Sequence, residues 1–211
     1  MLTVIEARVL GCLLEKERTV PDQYPLTLNT LVLACNQMTS REPVMHLAEH
    51  EVESVLSALK SQTLVRYVHP AHGRSVTRYR QVADEAWGLA APSAALVAVL
   101  LLRGPQTTAE LASRTERMQV FESPAQVETT LFELVSAGMV QALSRQPGQR
   151  EHRWQQLLAE EDAVAEPAVR HTSTPFASAV LPIGPGTAER LELLELRVAR
   201  LETLLADLLP E

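Results

Sequence analysis

Hydrophobic positions along the chain switch period partway through one stretch, and the same switch recurs further on. Val52, Val55, Leu56 and Leu59 follow helical spacing, and then Leu64 to Val68 and Val76 to Val82 carry β-branched and aromatic residues at strand spacing. An offset of 75 aligns a second copy without a gap: Val52 meets Val127, Leu56 meets Leu131, Leu59 meets Leu134 and Val65 meets Val140. Further along, Gly73 meets Gly148, Arg78 meets Arg153, and Tyr79 meets Trp154. A helix running into a hairpin with a glycine near its tip is the second half of a winged helix-turn-helix. Its repetition predicts two of them in tandem.

The segments before each copy supply the missing helices. Thr3-x-x-Glu6 is a capping box opening a helix with Leu2, Ile5, Val9, Cys12 and Leu13 near one face. Pro21 and Pro25 mark a connection, and Leu28, Leu31, Val32 and Cys35 give the second helix. In the second half Ser93 is placed to cap a helix with Leu96, Val99 and Leu100 inward, which Gly104-Pro105 ends. Thr107-x-x-Glu110 is a second capping box, and Ser123-Pro124-Ala125-Gln126 a third with Pro at the first helical position. The expected fold class is mainly α with small β-hairpins (α+β). Two tandem winged helix-turn-helix domains occupy residues 1–82 and 93–158, joined by a connector at 83–92 and each with its own core. Tyr79 and Trp154 should be buried at equivalent places.

The blocks Arg8 to Glu17, Pro21 to Leu26, Ala34 to Gln37, Arg41 to Val44, Leu102 to Thr107 and Pro147 to Glu151 together resemble the YceH-like family of bacterial proteins. That resemblance covers residues 1 to about 158. It implies a tandem winged-helix fold and brings no catalytic residues, because the family has no established biochemical function.

Charge separates the repeats from the C-terminal quarter of the chain. The net charge of -7 is concentrated in residues 159–211, which hold four Lys/Arg against ten Asp/Glu. Residues 159–187, with Pro167, Pro175, Pro182 and Pro185 and no sustained period, read as a flexible linker. The N-terminus has no basic flank or cleavage site, and the longest apolar run, Ala94 to Leu102, is far below the ~20 residues that span a bilayer. Cys12 and Cys35 lie in apolar helical patterns and read as small core residues in a reducing compartment. The expectation is a cytoplasmic protein without a membrane partner.

Enzyme signatures are absent from the sequence: there is no Gly-rich phosphate loop, nucleophile elbow or Cys-x-x-Cys. We expect neither catalysis nor a cofactor. His46-x-x-x-His50 followed by Glu53 has metal-ligand spacing but no firm third ligand, so no metal is expected. Asn36, Gln37, Arg41 and Glu42 form a polar cluster that either recognises a partner or satisfies loop backbone groups. From Ser54 to Ala83 there is no acidic residue, while Lys60, Arg66, Arg74, Arg78 and Arg80 are present. The second hairpin offers Arg145, Arg150 and Arg153. Basic wings of this kind contact DNA phosphates, or serve as solvated edges that resist aggregation. The third helix opens with Glu49, Glu51 and Glu53, which suit its dipole and repel phosphate. Two functions therefore stay open. One is a DNA-binding, regulatory protein using its wings; the other is a scaffold whose winged helices bind a protein partner.

The last stretch, within residues 188–211, regains a heptad pattern. Leu191, Val198 and Leu205 take a positions, and Leu194, Leu201 and Leu208 take d. Arg190 and Arg197 at g face Glu195 and Glu202 at e across a parallel pair, which predicts a parallel coiled-coil homodimer. The alternative is that this leucine face packs back within its own chain.

Overall fold

The structure, a computed structural model, describes residues 1–69, 76–145 and 151–160. Thr3 and Glu6 exchange the two capping bonds, 3.3 and 2.7 Å, that start α1 (Val4–Thr19). After a 3-10 turn at Pro21–Gln23 come the short strand β1 (Leu26–Thr27), α2 (Leu28–Cys35), α3 (Glu49–Ser61) and the hairpin β2 (Val65–Val68) and β3 (Arg78–Gln81). α4 (Ala83–Trp87) leads to the second half: α5 (Ala91–Arg103), α6 (Thr108–Thr115), α7 (Pro124–Ser136), β4 (Val140–Ala142) and β5 (Trp154–Gln156). The result is a helix-rich α+β fold with two small antiparallel sheets, one ordered β1-β3-β2 and the other β4-β5. Among the described residues no helix is long and apolar enough to cross a membrane.

The repeat is geometric as well as sequential. Val65 pairs with Gln81 and Tyr67 with Tyr79; 75 residues on, Val140 pairs with Gln156 and Ala142 with Trp154. β1 places Leu26 opposite Tyr79, and an isolated bridge sets Gln106 opposite Trp154 in the same way. Thr27 caps α2 as Thr107 caps α6, each accepting from the amide three residues on. Tyr79 is 6% exposed and Trp154 1%, as their shared position in the pattern requires. A two-residue strand carries no periodic signal, so β1 is found only in three dimensions.

Several expectations change. The two halves share one hydrophobic cluster instead of holding separate cores. α1 and α5 are the reason. Every residue from Glu6 to Leu14 on α1, and from Ser93 to Leu102 on α5, is buried, so each helix is covered on all sides and each packs on the other. Gly11 makes the close approach possible, since a Cβ there would lie 3.0 Å from Leu102 Cγ and Cδ2. The connector at 83–92 contains a short helix, α4, ended by Gly88 at φ 66, a left-handed conformation that glycine adopts without a Cβ penalty. Ala90, not Ser93, stands at the N-cap of α5, and Ser93 is buried within the helix. The third capping box is half formed. Ser123 accepts from Gln126 N–H at 3.3 Å, but the Gln126 side-chain carbonyl takes the amide of Glu122, 2.8 Å away. Ala159, expected to begin the linker, is buried beside Leu2, and the Leu2 backbone bonds both Leu158 and Glu160 at 2.8 Å. The remaining linker and the whole heptad segment lie outside the described residues.

Candidate nucleic-acid interface

The first hairpin sorts its residues by the pleat. Directly opposed residues of an antiparallel pair share a face, so Arg66 with Arg80 and Val68 with Arg78 line one side, and Tyr67 with Tyr79 line the other. The tyrosine side turns towards α3. The two rings meet edge to face at 4.9 Å, and Lys60 Nζ, from the last turn of α3, sits 4.4 Å over Tyr67. Burial, with the Glu53 carboxylate nearby, pushes the Tyr79 hydroxyl above its ordinary pKa. Lys60, Thr63, Arg66, Tyr67 and His69 line a shallow cleft at this junction.

The arginine side is only partly available to a ligand. Arg78 Nη1 donates to the Pro25 carbonyl at 2.8 Å, tying the hairpin to the segment before β1. Arg153 repeats this in the second half, donating to the Pro105 carbonyl at 2.8 Å and pairing with Glu110 at 3.3 Å. These two arginines, which the sequence offers as phosphate ligands, hold equivalent internal bonds. Arg80 and Arg66 converge on Glu85 at 2.9 and 3.6 Å, so one carboxylate serves two exposed cations. In the second hairpin their counterparts are Gln155 and Gln141, bonded to one another at 3.0 Å. Arg145 lies exposed just beyond β4. Arg74 and Arg150 lie outside the described residues, as do Leu191, Leu194, Val198, Leu201, Leu205 and Leu208.

The acidic start of α3 is partly local business. Glu51 accepts the Ala48 amide at 2.7 Å, satisfying one of the donors left open at a helix N-terminus, while Glu49 and Glu53 remain exposed. No group of three or more His, Cys, Asp or Glu able to hold a metal occurs among the described residues.

The polar cluster before α3 is built into the fold. Asn36 forms two bonds with the Leu47 backbone, 2.9 and 2.8 Å. Arg41, whose side chain is 0% exposed, grips Glu15 with both Nη atoms at 3.2 and 2.6 Å and donates to the Ala34 and Ser40 carbonyls. Arg8 reaches the Cys35 and Pro43 carbonyls, and Glu42 N–H donates to the Leu102 carbonyl at 2.8 Å. Burial raises the Glu15 carboxyl, but the bond and charge of Arg41 outweigh it and hold the pKa below the ordinary range. Cys12 and Cys35 are fully buried free thiols in the same region.

One surface is not visible as a site in the sequence. Phe132, on the outer face of α7, is 59% exposed, with Val135 beside it on the same face. The chain hints at it only through the offset of 75, which aligns Phe132 with Ser57 and Val135 with Lys60.

Comparison with known proteins returns relatives along nearly the whole chain. A family model described as "Protein of unknown function, DUF480" matches residues 2–149. A UPF0502 protein of Pseudomonas savastanoi pv. phaseolicola is 43% identical over 203 residues, covering 96% of this chain and 90% of the relative. A UPF0502 protein of Cupriavidus metallidurans is 42% identical over 214 residues, with 98% and 84% covered. One of Solibacter usitatus is 43% identical over 202 residues, with 95% and 93% covered. With the match spanning most of its length, the chain belongs to the DUF480 family, the UPF0502 proteins of bacteria, whose function is uncharacterised.

Proposed function

We propose that this is a non-enzymatic tandem winged-helix protein that binds duplex DNA in a regulatory role, chiefly through its first wing. The order helix, strand, helix, helix, hairpin, with the sheet ordered β1-β3-β2, supports the winged-helix reading of the first half. The second half repeats the order and the hairpin register, with Gln106 in place of β1. The observation that carries the DNA reading is the outer face of the first hairpin. Arg66, Arg80 and Arg78 stand there side by side with Glu85 as the carboxylate that Arg66 and Arg80 share, and Lys60 closes the adjoining cleft. Such a face reads phosphate and shape, not base sequence. Docking runs along the wing and the C-terminal end of α3, leaving Glu49 and Glu53 at the far end of the helix. The heptads of the last segment support pairing of two chains, which brings two wings to one duplex.

The test is binding to random-sequence duplex DNA, followed by fluorescence anisotropy across a salt series. Arg66→Gln and Arg80→Gln install residues that the second hairpin already carries, so the fold should tolerate them; Lys60→Ala completes the set. The triple variant should bind all sequences more weakly, and its salt slope should fall by ~0.9 for each phosphate no longer neutralised. An unchanged slope, or no binding by the wild-type chain at low salt, refutes the reading.

A further inference from the structure

The cleft between α3 and the first hairpin, about 340 Å³ in volume, has two apolar members in its lining, Val65 and Val82. Both positions stay apolar 75 residues on, as Val140 and Leu157. The rest of the lining does not persist. Lys60, Thr63, Arg66, Tyr67 and His69 give way to Val135, Gly138, Gln141, Ala142 and Ser144. The second half folds to the same plan without these cations, this hydroxyl or this ring, so the plan itself does not require them.

Thr63 is the clearest case. α3 is capped by Gln62 and the next residue takes φ 59; α7 is capped by Ala137 and Gly138 takes φ 69. Both caps close alike, with Leu64 N–H on the Leu59 carbonyl and Met139 N–H on the Leu134 carbonyl, each at 2.9 Å. Left-handed backbone at this position suits glycine and strains a β-branched residue. The first half therefore holds a threonine where the cap favours glycine. Its hydroxyl donates to the adjacent Gln62 carbonyl at 2.7 Å in an exposed setting, so no buried bond offsets the strain. Strain of this kind concentrates where a ligand is held. Lys60 adds to the picture: Nζ lies 4.4 Å over the Tyr67 ring and has no carboxylate within ion-pair distance among the described residues. Arg66 meets Glu85 at 3.6 Å, but both side chains are more than half exposed, and such a pair yields readily to another anion.

We infer that this cleft binds a small organic anion, a phosphomonoester or carboxylate on a short apolar body, and that filling it weakens the hold of the first wing on DNA. Lys60 and Arg66 neutralise the anion, the Thr63 hydroxyl hydrogen-bonds it, and the apolar body lies against Val65, Val82 and Tyr67. The volume falls at the small end of the roughly 300–1,000 Å³ usual for small-ligand sites. A duplex phosphate engages projecting cations and leaves such an apolar recess unused, whereas an anion with an apolar body uses both. The effect on DNA rests on the reading of the first wing given above; the anion site does not.

The experiment titrates the full chain, without DNA, with phenyl phosphate, benzoate and inorganic phosphate, following backbone amide signals by NMR. Phenyl phosphate or benzoate should give saturable shifts at Thr63 and Arg66, and the tighter of the two names the anion. Inorganic phosphate should bind about tenfold more weakly than that ligand; equal affinity removes the apolar body and overturns the proposal. Two variants install residues that the second half already carries. Lys60→Val with Arg66→Gln should weaken binding about tenfold or more. Thr63→Gly should weaken it while melting no lower than the wild-type chain, because glycine relieves the left-handed strain. No saturation by about 10 mM, far weaker than a specific site, overturns the proposal. So do shifts confined to other residues, or equal binding by the double variant, because the anion then sits on other cations. A second arm adds the tighter ligand to a complex with duplex DNA and reads anisotropy. DNA should be released from the wild-type chain. Unchanged DNA affinity with the cleft saturated overturns the regulatory role. If the chain binds no DNA at all, the first-wing reading falls with that role, and the titration without DNA still decides the anion site.

Discussion

Arg41→Met isolates what holds the segment between α2 and α3. The guanidinium is fully covered, makes two bonds to Glu15, and satisfies the Ala34 and Ser40 carbonyls at 3.0 and 2.8 Å. Met fills much of the same volume but leaves these acceptors without their donor. Removing one partner of a buried ion pair costs about 3–5 kcal/mol. Glu15 keeps 15% of its side chain exposed and has Lys16 at 3.3 Å, so the lower end, about 3 kcal/mol, is expected here. That is a large share of the roughly 5–15 kcal/mol that holds an ordinary domain together. The pH dependence gives a second handle. The folded Glu15 pKa is depressed in the wild-type chain, so its contribution is present above the ordinary carboxylate pKa and lost as pH falls. In Arg41→Met, burial is the leading influence left, and the folded pKa should move up. The damage should then be greatest near neutrality and shrink as pH approaches ~4. Urea unfolding at both ends of that range measures it. A loss under about 1 kcal/mol at neutral pH, or a loss that stays constant as pH falls, refutes the account. Adding Glu15→Leu should restore much of the stability, because no unpaired charge is left behind.

Other outcomes follow from the same structure. Gly11→Ala brings a Cβ within 3.0 Å of Leu102 and 3.2 Å of Leu101. Overpacking costs about 1–3 kcal/mol against roughly 0.8–1 kcal/mol gained in helix propensity, so a modest net loss is expected, with Gly11→Val worse; a raised melting temperature in Gly11→Ala contradicts the close packing. Arg153→Ala should lower stability by about 1 kcal/mol through the missing bond to Pro105, yet leave the salt slope of DNA binding unchanged. For the heptad segment, sedimentation of the full chain and of a version ending at Gly186 should show that only the full chain dimerises. Leu201→Glu should then make it monomeric by placing carboxylates in the seam; dimers of equal strength in both lengths would remove the segment from the interface.

Local chemistry determined much of this protein in advance. Thr3 with Glu6, and Thr107 with Glu110, cap their helices as their spacing requires, because capping is a bond between residues three apart and needs nothing distant. The hairpin registers follow from the repeat, since a strand with one buried face cannot slip by one residue without exposing Tyr79 or Trp154. Three-dimensional packing decided the rest. Whether the halves keep separate cores depends on α1 meeting α5, a contact between helices far apart in the chain that no local period encodes. Its sequence trace, the unbroken apolar run from Ala94 to Leu102, fits a helix buried on all sides equally well in either arrangement. The fate of the arginines was equally hidden. Alternation puts Arg78 and Arg80 on one face, but only the position of Pro25 commits Arg78 to a carbonyl, and only α4 brings Glu85 to Arg66 and Arg80. Charge in a sequence is a count, whereas its availability to a ligand depends on which backbone oxygens and carboxylates the fold has already placed within about 3 or 4 Å.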